Sequence, residues 1–199
     1  MMAPKINGIP HRCITALALT IPLVGSTVVL GQDTQSPVVY EIVQTPSCEN
    51  NLGETVRFMD RTSGNTAIAA GMAIRDRNGQ PIVYRANYAA APPEFQMFID
   101  RHECAHHQTG DVDRPHPPRN GPDHLMNESI SDCVAILRLR DEEGYDRAGF
   151  NKVANALRSE MAKIGFPEIS ISSRISNIET CFSKYGSAPE FVNGVISAR

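Results

Sequence analysis

His102-Glu103-Cys104-Ala105-His106 sets two imidazoles four residues apart, with a carboxylate next to the first. In a helix, positions i and i+4 share a face, so His102 and His106 can offer two nitrogen donors to one metal ion. Glu103 is rotated off that pair, close enough to accept a proton from water at the ion without binding the ion itself. Zinc in such a site lowers the pKa of a bound water from about 16 towards about 7, and a neighbouring carboxylate then takes its proton. The chemistry this spacing points to is metal-assisted hydrolysis.

A tetrahedral site needs a third protein ligand. A downstream histidine in the metzincin pattern requires Gly at position 109 and His at 112, where the chain has Thr109 and Val112. The other candidate is Asn127-Glu128-Ser129-Ile130-Ser131-Asp132. Glu128 and Asp132 are again i and i+4, so on a helix Glu128 can reach the metal while Asp132 accepts a hydrogen bond from a ligand imidazole. His107 follows a ligand directly and points to another face, which suits a supporting or surface role better than coordination.

His102-Glu103-x-x-His106 followed by Asn127-Glu128-x-x-Ser131-Asp132 resembles the gluzincins, the thermolysin-like zinc metallopeptidases. The resemblance covers about residues 85–140. It implies one zinc per chain held by His102, His106 and Glu128, Glu103 as general base, and Asp132 as a carboxylate behind a ligand. It also implies a zincin-like pair of helices around the metal and an edge strand just before them, along which a peptide substrate lies by strand addition. Residues 81–88 stand in the place for that strand. Such enzymes usually carry a downstream His or Tyr as oxyanion or acid residue, and no His follows His124 here. Tyr145, Tyr185, His116 and His124 stand as candidates, with no ground in the sequence for choosing among them.

The elements that must position these groups are legible in outline. Residues 38–43, 54–59, 71–75 and 81–86 read as short strands, and Asn78-Gly79 signals a hairpin turn between the last two. They predict a small antiparallel sheet. Pro92-Pro93 starts a helix, on which Phe95, Phe98, Ile99, His102 and His106 form one buried stripe. Residues 109–124 are too rich in Pro, Gly and Asp for regular structure, and the loop exceeds the usual connection of about 4–6 residues. Further helices are expected over 125–141, 146–164 and 172–184. Strands first and helices after give an α+β fold, with 32–199 as a single domain and its zincin-like core near 85–145.

Composition narrows the setting. The chain has 199 residues, a net charge of −3 and 21% charged residues, with no basic cluster to hold nucleic acid. Lys5, His11 and Arg12 precede an apolar run from Cys13 to Leu30, and Val29-Leu30-Gly31 offers a cleavage site. This is the layout of a secretory signal peptide over 1–31, with a membrane anchor as the rival reading. Pro22 and the Thr/Ser content favour cleavage, which implies export to a periplasm or exterior and no stable membrane insertion afterwards.

Cleavage leaves Cys48, Cys104, Cys133 and Cys181, which read as two disulfides with three possible pairings. Cys104 is turned to the far side of its helix from His102 and so is a poor zinc ligand. If the two motif helices pack around a shared metal, Cys104–Cys133 staples the site and Cys48–Cys181 ties the sheet to the last helix. The expectation is an exported zinc metallopeptidase acting on peptide or protein. A non-catalytic, zinc-stabilised binding or adaptor domain, and an amidase acting on peptidoglycan peptides, remain as alternatives.

Overall fold

The structure is a computed structural model that describes residues 40–42, 47–61 and 70–199. The signal-peptide reading of 1–31 lies outside the described residues. Four strands are followed by five helices, an α+β arrangement. The strands are β1 (Tyr40–Ile42), β2 (Arg57–Arg61), β3 (Ala70–Arg75) and β4 (Pro81–Ala86), in the sheet order β1-β2-β4-β3.

The sheet is mixed, which corrects the antiparallel expectation. β1 pairs with β2 and β3 with β4 antiparallel, but β2 and β4 run parallel. The β3–β4 hairpin is set locally. Asp76 Oδ1 accepts the N–H groups of Asn78 and Gln80, and Gly79 takes the positive φ of 78° that closes the turn. That hairpin inserts β4 beside β2 and leaves β3 on the edge. Pro81, Ile82 and Val83 are accordingly buried in succession, as in a strand covered on both faces. Among the described residues the edges are therefore β1 and β3, and the 81–88 segment expected as an edge strand is interior as β4.

The helices are α1 (Pro93–Gln108), α2 (Pro122–Asp141), α3 (Arg147–Lys163), α4 (Glu168–Lys184) and α5 (Ala188–Ser197). A short 3-10 turn over Tyr88–Ala90 leads into α1. Pro sits in the first turn of α1 and of α2, where its missing N–H costs nothing. α2 and α4 start earlier than expected, because Asp123 and Glu168 place acidic groups in polar first turns. α5 was not anticipated, although Ser187 and Glu190 form a reciprocal capping box at its start.

α1 is the central element. It packs against β3 and β4 on one side and against α2 and α3 on the other. Phe95, Phe98 and Ile99 of α1 join Ile136 and Leu139 of α2, Phe150 and Leu157 of α3, and Ile171 and Ile178 of α4 in the main core. Cys48, Val56, Phe58, Val83 and Cys104 form a smaller core between α1 and the sheet.

The disulfides are Cys48–Cys104 and Cys133–Cys181, with Cα–Cα distances of 5.9 and 5.4 Å. The expected pairs, Cys104–Cys133 and Cys48–Cys181, are not formed. Each motif helix turns its ligand face to the other, so the cysteine beside each motif faces away. Cys104 meets the sheet layer, and Cys133 meets α4. Disulfides of this kind persist in oxidising compartments. Among the described residues, no helix is long and apolar enough to cross a membrane.

Candidate metal centre

α1 and α2 pack on one another, and at their contact His102, His106 and Glu128 converge, with one donor atom of each within 4.8 Å of the others. The two Nε2 atoms are 3.2 Å apart. Glu128 Oε2 lies 3.3 Å from His102 Nε2, and Oε1 lies 3.5 Å from His106 Nε2. Two nitrogen donors and a carboxylate at this separation form a group that could hold a metal ion. A metal ion fits these residues.

Both rings are aimed by acceptors on their other nitrogen. His102 Nδ1 is 2.8 Å from Asp132 Oδ1, which leaves Nε2 free for the centre. Asp132 is itself gripped by Arg174 of α4, whose Nε and Nη2 donate to its two oxygens at 2.7 and 2.6 Å. His106 Nδ1 is 3.2 Å from Asp111 Oδ2 in the loop after α1, and Ser131 Oγ lies 3.1 Å from the same nitrogen. The sequence points to Asp132 and includes Ser131 in the same motif without a role, while Arg174 and Asp111 carry no local signal.

The electrostatics follow from this clustering. Burial works against a charged His102, but its hydrogen bonds to Asp132 and Glu128 prevail and push its pKa up to about 10. Burial likewise opposes ionised Glu128, yet His102 and the nearby charges of His106 and Arg174 bring it down to about 2. For Asp132, burial is outweighed first by Arg174 and then by His102, again to about 2. The cluster thus favours a positive charge among its carboxylates, the charge a bound cation would supply.

Glu103 sits one residue beyond His102 and is buried at 8% exposure. Its Oε2 accepts the N–H of Ala73 on edge strand β3 at 2.8 Å. Gly71 on the same strand allows that approach, since a Cβ there would lie 2.5 Å from Glu103 Cγ. Neither Gly71 nor the Ala73 amide is marked by residue type as functional, although an isolated Gly in a strand does signal a close approach.

A cavity of about 310 Å³ opens over His102, Glu103, His106 and Glu128, and His116 and His124 line it too. A second, of about 180 Å³, shares His102, Glu103 and Glu128 with the first and is lined further by Phe95, Ile99, Met161, Ile164 and Phe166. Arg174, Lys163 and Glu160 reach its wall.

His124 lies on α2 one turn before Glu128, so His124, Glu128 and Asp132 share one face. Tyr145 lines neither cavity. It packs on the main core, and its hydroxyl donates to Met97 Sδ at 3.4 Å. Tyr185 stacks edge-on against Phe191 at 5.1 Å. His107 is buried, not superficial: Nε2 bonds to the Ile82 carbonyl at 3.0 Å, and burial lowers its pKa. Comparison with family models, with curated proteins and with solved structures finds no significant match to this chain.

Proposed function

We propose that the chain is an exported zinc metallopeptidase resembling the gluzincins, with His102, His106 and Glu128 as ligands and Glu103 as general base. One observation carries the reading. Two imidazoles and a carboxylate converge as a group that could hold a metal ion, with a second carboxylate beside them in the same cavity. Zinc bound there would acidify water and polarise a carbonyl. Glu103 accepts the proton as the water oxygen attacks the peptide carbon, then passes it to the departing nitrogen as the C–N bond breaks. His116 and His124 line the same cavity as the ligand histidines, which leaves them as the candidates for the oxyanion or acid role.

The surroundings suit an extended peptide. Among the described residues β3 lies at one edge of the sheet, and its residues Gly71, Met72 and Ala73 line the ligand cavity, so a chain adding alongside would pass the metal and displace Glu103 from the Ala73 N–H. The apolar side of the second cavity, formed by Phe95, Ile99, Met161, Ile164 and Phe166, would take a hydrophobic side chain next to the bond being cut. The basic start and apolar run of residues 1–31, with two disulfides in the folded part, fit export. An amidase acting on peptidoglycan peptides would use the same groups.

A second reading, a zinc-stabilised binding domain, has one observation in its favour. The Ala73–Glu103 hydrogen bond gives Glu103 a structural role that does not need catalysis. Glu103→Gln separates the two. Under the peptidase reading the variant keeps one zinc by elemental analysis and loses cleavage of a quenched-fluorescence peptide library by on the order of 100-fold or more. A wild-type protein that binds zinc and cleaves neither peptides nor peptidoglycan fragments would establish the binding-domain reading instead.

A further inference from the structure

The two ligand histidines are each backed by a carboxylate that is backed by an arginine. For His102 the relay is Asp132 and Arg174, both on helices. For His106 it is Asp111 and Arg199, and these lie outside regular structure. Asp111 belongs to the irregular stretch between α1 and α2, where no helix or strand ladder fixes it. Its own N–H bonds to the His106 carbonyl at 2.9 Å, which ties down the backbone but does not aim the carboxylate.

Arg199, just past α5, supplies the rest. Its Nη1 donates to Asp111 Oδ1 at 2.5 Å and to the Thr109 carbonyl at 3.2 Å. Its Nη2 donates to Asn127 Oδ1 at 2.7 Å, next to Glu128. The Asp111 side chain is 6% exposed and that of Arg199 18%, so the carboxylate end of the contact is shielded from water. One guanidinium therefore clamps the carboxylate that aims His106 and the residue beside the third ligand. The planar fork of arginine suits such a span, and an ammonium does not.

We infer that Arg199 is a positioning residue of the metal centre, acting on His106 through Asp111 and so making the end of α5 part of the site. The inference rests on the metal-centre reading for its consequence, but not for its geometry. α5 is docked independently of the site: the Ala188 N–H bonds to Asp141 Oδ2 at 2.9 Å, and the helix packs on α2. Loss of the Arg199 side chain should loosen the clamp without unfolding the helix.

The test has two arms on the full chain. In the metal-free protein, side-chain nitrogen NMR of Arg199→Ala should shift and broaden the His106 ring signals and leave those of His102 in place. In the second arm, competition with a chromophoric chelator should show zinc affinity about 10-fold weaker in Arg199→Ala, with a cobalt-substituted spectrum altered to match. Arg199→Lys should recover only part of the loss, because one ammonium cannot hold Asp111 and Asn127 together. In an Asp111→Ala background, Arg199→Ala should cost clearly less than it does alone, since only the contacts to Asn127 and Thr109 remain to be lost. Unmoved His106 signals, or losses that simply add in the double variant, overturn the inference. A wild-type chain that takes up no zinc defeats the metal-centre reading while leaving the NMR arm decisive for Arg199.

Discussion

The two flanks of the metal centre are built to the same plan from different material. On the His102 flank, the aiming carboxylate and its arginine sit on α2 and α4, among core residues that also carry the Cys133–Cys181 bond. On the His106 flank, the carboxylate hangs in a loop and the arginine follows the last helix. The first arrangement is fixed by the same packing that holds the protein together. The second depends on a few polar contacts near the surface. Two ligands of one ion can thus differ widely in how much folding energy stands behind their aim.

Substitutions can break this comparison or sharpen it. The largest effect belongs to Asp132→Ala, which strips the partner from a largely buried Arg174 and the acceptor from His102. We expect about 3–5 kcal/mol of lost stability in urea denaturation, together with failure to retain zinc through dialysis. Asp111→Ala should cost less, about 2 kcal/mol, because Arg199 can turn to water, while zinc is still bound but more weakly. Equal losses at the two aspartates would erase the distinction between the flanks. Ser131→Ala is the smallest, about 1 kcal/mol, since Asp111 keeps His106 aimed when the hydroxyl is gone. If calorimetry found Ser131→Ala as damaging as Asp111→Ala, the hydroxyl and not the carboxylate would be the group that aims His106.

What could be read from the sequence divides along the same line. His102, Glu103, His106, Glu128 and Asp132 announce themselves because helical spacing turns a short string into a shared face. The hairpin at Asn78-Gly79 is just as local. Arg174, Asp111 and Arg199 are ordinary charged residues brought in by tertiary packing, and nothing in their neighbourhood in the chain distinguishes them. Strand order eluded prediction for a related reason: alternation marks a strand but not which neighbour it takes, so β4 passed for an edge when it is covered on both sides. The cysteine pairing differs from the expected one because facing helices point ligands inward and the residues beside them outward, so Cys104 and Cys133 lie on opposite flanks of the α1–α2 contact. α5 carried a readable start signal in Ser187 and Glu190, but a short helix with one buried residue leaves little periodic pattern behind it.

That pairing has a mechanical consequence. Cys48–Cys104 bolts α1 to the sheet side, and Cys133–Cys181 bolts α2 to α4, so neither covalent bond crosses the seam between α1 and α2. The oxidised chain is two braced halves meeting at a joint, and the His102–His106–Glu128 donor set lies in that joint like a rivet hole. Whatever fills it fastens the halves directly, adding a polar rivet to the apolar core that already spans the joint.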